Sequence, residues 1–254
     1  MRTLSVIILT LNEEHNITDC LRSVSWASQR LVVDSASTDG TVRLAENAGA
    51  TVLAIPWEGY GATKNRALEK ATGDWILWLD ADERVTEDLS AEIQSILRSD
   101  TINENGFDVA RRAYFLGKWI RHCGWYPGRV TRLFRKGAGR FTTSAVHEGL
   151  EIDGSTGSLK HDLIHLTDPD LNHYFMKFNR YTTLAVDDLV RRGTKATISQ
   201  LLIKPAFTFL RMYIMRQGWR DGVHGFVLCV VSAGYVFVKY AKLWERELTG
   251  DTKG

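Results

Sequence analysis

The chain has only three cysteines in 254 residues, and Cys20, Cys123 and Cys229 match neither a metal-binding spacing nor a disulfide framework. A reducing, cytosolic setting is expected. Net charge is also nearly absent. Thirty-two Lys and Arg against 30 Asp and Glu leave +2, so bulk electrostatics does not call for nucleic acid. No apolar run reaches the ~20 residues that spanning a bilayer takes; the uncharged run Gly225 to Val238 stops at fourteen. The first residues lack the basic, apolar and small-residue succession of a secretory leader, and Leu4 to Leu11 reads instead as a strand.

What is present is enough chain to bury a large core, with the charge unevenly spread. Nine basic residues fall between Arg111 and Arg140 (Arg111, Arg112, Lys118, Arg121, Arg129, Arg132, Arg135, Lys136, Arg140), with Asp108 just before them. That segment points to an anionic partner or to a solvated basic face. The first hundred residues alternate strand and helix. Strands are expected at Leu4–Leu9, Leu31–Val33, Thr51–Ile55 and Trp75–Leu79, with helices after Asn12, from Gly40 to Ala48 and from Ala62 to Ala71. Crossover helices between strands imply a parallel sheet and an α/β architecture. From Phe107 to Leu166 the chain is strand-like and rich in Arg, Gly and aromatics; beyond Pro169 it reads as helical.

The apolar run Trp75-Ile76-Leu77-Trp78-Leu79 ends abruptly at Asp80-Ala81-Asp82. Ligands of parallel sheets bind at the carboxyl ends of the strands, so both acids fall on the expected site edge. Two hard oxygen donors there suit Mg²⁺ or Mn²⁺ on a diphosphate, or else a strand end followed by a helix-capping acid. Three further clusters end neighbouring strands: Thr10 to Glu14, Asp34 to Gly40, and Gly61 to Arg66. A carboxylate after the second strand can accept hydrogen bonds from a base or ribose. A helix N-terminus and a cation near Gly61 can meet phosphate oxygens.

In their order, Ser5-Val6-Ile7-Ile8-Leu9-Thr10-Leu11-Asn12-Glu13-Glu14, Val32-Val33-Asp34-Ser35, Lys64-Asn65-Arg66 and Trp78-Leu79-Asp80-Ala81-Asp82 resemble the inverting glycosyltransferases of family 2. Trp125-Tyr126-Pro127, Arg132-Leu133-Phe134-Arg135, Val146-His147-Glu148 and the tail around Gly218 to Gly222 are similar to the subgroup that glucosylates the lipopolysaccharide inner core. The resemblance implies a GT-A α/β fold with a mostly parallel central sheet and a C-terminal helical extension. The implied division is 1–168 (donor half 1–100, acceptor half 101–168) and 169–254. The implied donor is a nucleoside-diphosphate sugar, UDP-glucose, and the implied acceptor a lipid-linked saccharide. Thr10, Glu13, Asp34, Lys64 and Asp80 would line the nucleotide-sugar pocket, and Asp82 with Asp80 would hold the metal. Glu148 would be the general base, with His147 its competitor. Ser35 departs from the second acid found after the second strand in many members, which leaves the nucleobase of the donor open.

His165, in Leu163-Ile164-His165-Leu166, is open between a third metal ligand and a satisfied core histidine, the latter weightier. Strand alternation places 129, 131, 133 and 135 on one face and 130, 132 and 134 on the other, so Arg132 is expected apart from Arg129 and Arg135. Arg132 is expected on a diphosphate or an acceptor phosphate. Trp125, rather than Trp119 or Tyr126, is expected against a sugar. Apolar helices edged with Lys, Arg, Trp and Tyr after Ile198 suit a peripheral contact with the cytoplasmic face of the inner membrane, or packing against protein. Competing readings are transfer to a polyprenyl phosphate, a nucleotidyltransferase, and a non-enzymatic nucleotide-binding protein at a membrane surface.

Overall fold

The computed structural model describes residues 2–55, 60–142 and 149–250. The chain divides into two compact units, Met1–Arg111 with Arg129–His165, and Arg112–Gly128 with Leu166–Gly254. This differs from a simple break at 168. Residues 112–128 belong with the C-terminal helices because Phe115, Ile120 and Cys123 share a core cluster with Leu228 and Cys229.

In the first unit, β1 (Leu4–Thr10), α1 (Ile17–Ser23), β2 (Gln29–Asp34), α2 (Thr41–Asn47), β3 (Thr51–Ala54), α3 (Tyr60–Glu69) and β4 (Trp75–Asp80) follow the expected alternation. Next come β5 (Glu83–Val85), α4 (Glu87–Arg98) and β6 (Gly106–Phe115), whose end passes into the second unit. β7 (Lys118–Trp119) belongs to that second unit, and β8 (Arg129–Arg135), β9 (Gly139–Phe141), β10 (Leu150–Ile152), β11 (Thr156–Ser158) and β12 (Leu163–Asp168) complete the strands. The central sheet runs β3-β2-β1-β4-β8-β6-β12-β5. β1 pairs in parallel with both β2 and β4, and β2 with β3; β8 joins β4 antiparallel.

Apart from Ser5 and the terminal Thr10 and Asp80, β1 and β4 are apolar because both of their faces are covered. Val6, Ile8, Trp75, Leu77 and Leu79 enter one core cluster, and Ile7, Ile76 and Trp78 enter the other. Helix α1 starts later than expected, at Ile17, since residues 13–16 form a turn in which Glu13 O accepts the Asn16 and Ile17 N–H groups. Helix α4 is capped as chemistry favours: Thr86 Oγ1 accepts from Leu89 N, and Glu87 and Asp88 occupy the positive first turn.

Strict alternation fails in β8. The pairing with β6 steps from Phe107↔Leu133 to Asp108↔Thr131, so Arg132 is the extra residue of a β-bulge. Val130 and Leu133 consequently reach the same core cluster although their numbers differ by an odd count. The two-face assignment of Arg129, Arg132 and Arg135 is therefore corrected, because a bulge resets the pleat.

The second unit holds α5 (Leu171–Arg191), α6 (Ile198–Leu210) and α7 (Gly222–Thr249), with a π-turn at Arg211–Met215 and a 3₁₀ turn at Gly218–Asp221. Asp170 caps α5, and Thr197 with Gln200 forms a capping box on α6. The fourteen-residue uncharged run lies inside the longer helix α7. Gly218–Thr249 is the one stretch among the described residues long and apolar enough to cross a membrane. Lys239, which ends the run in sequence, lies 4.8 Å from the centre of the Tyr240 ring, and Lys242 Nζ farther along donates to Asn179 O and to the Thr182 and Thr183 hydroxyls of α5.

Candidate functional site

The first unit brings three of the expected clusters to one sheet edge. Register sets Thr10 of β1 beside Asp34 of β2, and Leu9 beside Asp80 of β4. The carboxylates of Asp34 and Asp80 thus flank the end of β1, where open α/β sheets hold their ligands.

Asp34 is buried and already well satisfied. It accepts the Thr10 hydroxyl at 3.2 Å, the Ser37 N–H at 2.9 Å and the Ser37 hydroxyl at 2.5 Å. The loop after β1 is stitched to the same region. Asn12, at φ 56°, accepts the Thr38 N–H on Oδ1, and its own N–H donates to Ser37 Oγ. Glu13 donates its N–H to Thr41 Oγ1, and its carboxylate accepts from Asn16 Nδ2. Asp39 accepts the Glu14 and Thr41 N–H groups and the Thr41 hydroxyl, which pull its carboxyl below the ordinary value although burial opposes this. Ser37 and Asp39 thus take roles beyond the turn that their composition announced.

The Asp80-Ala81-Asp82 turn carries the charge. Burial by itself would raise the Asp80 carboxyl. The Arg132 guanidinium, with smaller help from His165 and Lys64, outweighs it and holds Asp80 below the usual carboxylate value. Arg132 Nη2 donates to Asp80 Oδ2 at 2.5 Å and to Glu83 Oε1 at 2.7 Å. Burial opposes the charge on Arg132, but Glu83 and Asp80 more than reverse this and raise it. Glu83 is fully buried, and that burial raises its carboxyl against the pull of Arg132. Lys64, on α3, lies 5.2 Å from the centre of the Phe141 ring. Asn65 beside it accepts the Phe141 N–H and donates to the Phe141 carbonyl, tying α3 to β9.

Glu83 escaped the sequence reading, and Arg111, whose Nη1 is 4.0 Å from Glu83 Oε1, entered it only as one of nine basic residues. The only available signal was a third acid directly after Asp82, at a position whose neighbour Val85 is also buried. Arg84 was missed as well; it braces the turn by donating to the Ala81 and Glu83 carbonyls and to Asn16 Oδ1.

For a divalent cation, Asp82 Oδ2 and His165 Nε2 stand 3.4 Å apart, both largely shielded from solvent. A carboxylate and an imidazole so placed fit such an ion, provided that substrate oxygens complete its shell. Among the described residues no group of three or more His, Cys, Asp or Glu side chains gathers to hold a metal unaided. Asp80 is instead engaged by Arg132. Glu148 and His147 lie outside the described residues. Trp125 is in the second unit, half-buried and edge-on to Phe115 with ring centres 6.2 Å apart. Trp119 there lies beneath the Arg112 and Arg121 guanidiniums, at 5.1 and 4.3 Å from its ring centre.

Residues 5–138 match the profile of the family described as Glycosyl transferase family 2. The chain is 35% identical over 251 residues to "Lipopolysaccharide core biosynthesis glycosyltransferase LpsC" of Rhizobium meliloti, covering 96% of this chain and 92% of that protein. It is 30% identical over 265 residues to an uncharacterized glycosyltransferase of Rickettsia typhi, covering 98% and 89%. Among solved structures it is similar to glucosyl-3-phosphoglycerate synthase of Mycobacterium tuberculosis, in complex with Mn²⁺, UDP and phosphoglyceric acid. That likeness has 26% identity, 44% of each chain covered and a TM-score of 0.37.

Proposed function

The chain belongs to glycosyltransferase family 2, and from that premise we propose that it moves glucose from UDP-glucose to a lipid-linked saccharide of the lipopolysaccharide core, with inversion. The observation that carries this reading is the relative from Rhizobium meliloti. Its match runs through both units and includes the helices beyond the family profile.

In this reading Thr10 and Asp34 face the nucleoside, while Lys64 and Arg132 face the diphosphate. The acceptor hydroxyl attacks the anomeric carbon on the side opposite UDP. Glu148 takes its proton, the new glycosidic bond forms, and UDP departs with the electrons of the broken bond. UDP leaves without needing a proton, so one carboxylate base suffices, unlike the acid pair of a glycosidase. Asp82 and His165 would hold Mg²⁺ or Mn²⁺, which when bound supplies positive charge to the departing diphosphate.

The second unit supports a peripheral contact with the cytoplasmic face of the inner membrane. Helix α7 buries Leu228, Cys229, Tyr240 and Leu243, yet Val223, Phe226, Val230, Phe237, Trp244 and Leu248 are exposed along another face. Helix α6 exposes Leu202, Ile203, Phe207 and Leu210. Around them Arg191, Lys195, Arg211, Arg216 and Arg220 are exposed, and the one acid from 190 to 238, Asp221, is buried. Such helices suit an anionic lipid surface.

The test incubates purified protein with UDP-glucose, UDP-galactose or GDP-mannose and with either a core acceptor or a polyprenyl phosphate, with the anomeric configuration read by NMR. Inverted glucosyl transfer to the core acceptor is expected. Transfer to polyprenyl phosphate alone would replace the acceptor assignment, and a retained configuration would overturn the displacement.

A further inference from the structure

The turn between β4 and β5 carries three acids, and the third differs from the others in its surroundings. Glu83 exposes none of its side chain, whereas Asp80 leaves 44% of its own open to solvent. One Glu83 oxygen accepts the Asp80 main-chain N–H at 3.0 Å; the other accepts Arg132 Nη2 at 2.7 Å. The same Nη2 donates to Asp80 Oδ2. One buried carboxylate therefore grips Asp80 twice, at its main chain directly and at its carboxylate through Arg132.

Among the described residues Asp80 and Glu83 hold that guanidinium through Nη2, and its Nε is buried without a hydrogen-bond partner. Its two anchors are unequal. Asp80 is partly open to solvent, where an arriving anion and counter-ions compete with it; Glu83 is shielded, and losing Arg132 would leave its buried charge with only Arg111 at 4.0 Å. An incoming diphosphate would thus draw Arg132 from Asp80 and leave it fastened to Glu83.

We propose that Glu83 is a positioning residue for the transfer reaction: it keeps Arg132 at the strand edge, aimed at the donor diphosphate, without touching the substrate. This rests on the donor-site reading of that edge. Glutamine at 83 preserves the shape, but its amide offers one acceptor oxygen where two donors converge, so one of the two grips is lost.

The experiment measures kcat, KM for the nucleotide sugar and Tm in wild type, Glu83→Gln, Arg132→Met and the double variant. Glu83→Gln is expected to lower kcat/KM roughly 10²-fold with a raised KM, and Arg132→Met at least as much. The double variant should lie within about threefold of Arg132→Met, since a residue acting through Arg132 has nothing left to position. Glu83→Asp, which keeps the charge one methylene short, should recover part of the loss. A Glu83→Gln enzyme within about twofold of wild type, or a double variant whose loss is the product of the singles, overturns the proposal. If Glu83→Gln does not fold, Arg132→Lys replaces it: the charge stays but the planar fork is gone. Wild-type kcat/KM in that variant overturns the proposal, and a loss of ~10-fold or more supports it. A wild-type enzyme inactive with every nucleotide sugar sinks the donor-site reading itself, whereas an active one indifferent to Glu83 sinks only this inference.

Discussion

The two units spend their polar and apolar residues in opposite ways. In the first, apolar side chains fill both faces of the sheet, and the polar ones gather at one edge, hydrogen-bonded to one another: Thr10, Asp34 and Ser37 in one knot, Asp80, Glu83 and Arg132 in another. In the second, the polar knot is inside. Asp221 is buried and accepts the Arg121 and His122 N–H groups and pairs with His122 Nδ1, while Phe207, Phe226, Phe237 and Trp244 face outward. A pre-organised polar edge suits a small charged ligand, and an apolar exterior suits a partner that replaces water. The same chain builds both surfaces.

Four variants would break or sharpen this contrast. The largest effect is expected from Asp82→Asn, which should lower turnover ~10³-fold or more while Tm stays near wild type, because the side chain packs into no core cluster. Activity assays beside calorimetry check this. Next is Asp221→Ala in the second unit. It leaves the Arg121 and His122 donors without their acceptor and should cost about 3 kcal/mol in denaturant unfolding. Third, Val230→Asp with Phe237→Asp should weaken co-sedimentation with anionic vesicles by roughly tenfold or more while leaving soluble-acceptor turnover unchanged. The smallest is Ser37→Ala, which removes one of three donors to Asp34. It should cost about 1 kcal/mol of stability and raise KM for the nucleotide sugar.

Acid should strike the first unit as well. Burial opposes the ionised forms of Asp80 and Asp39, but Arg132 for the one and the Thr41 contacts for the other hold both below ordinary carboxylate values. Their contribution is therefore complete above the unfolded carboxylate value and is lost as pH falls through the lowered folded values. Glu83 is displaced the other way by burial, so its own contribution is fullest at low pH and fades as pH rises through its raised folded value. Unfolding scans from pH 7 down to pH 3 should show a net loss that shrinks in Arg132→Met, where Asp80 no longer has its partner.

Much of this was legible from local pattern. The apolar runs at Leu4–Leu9 and Trp75–Leu79 are strands buried on both faces, and Thr10 and Asp80, which end them, sit at the sheet edge because topology leaves them no other place. The family and its GT-A α/β fold with a helical extension followed from those same motifs. Glu83 was not legible, since nothing in a sequence distinguishes a turn acid facing solvent from one facing a guanidinium. The alternation argument for β8 failed at Arg132 because bulges arise from the pairing of two strands, not from the period of one. The helix after Gly222 outruns the uncharged stretch because the count stopped at Lys239, although one cation breaks neither the helix nor its apolar faces.

By itself the sequence determined the order of strands and helices, the sheet-edge address of Asp34 and Asp80, and the apolar character of the tail, because periodicity and buried runs are properties of neighbouring residues. Only the tertiary structure decided which cation meets which acid. Arg132 reaches Glu83 across 49 residues of chain, through an antiparallel strand and its bulge, and such a pairing depends on packing that no local pattern encodes.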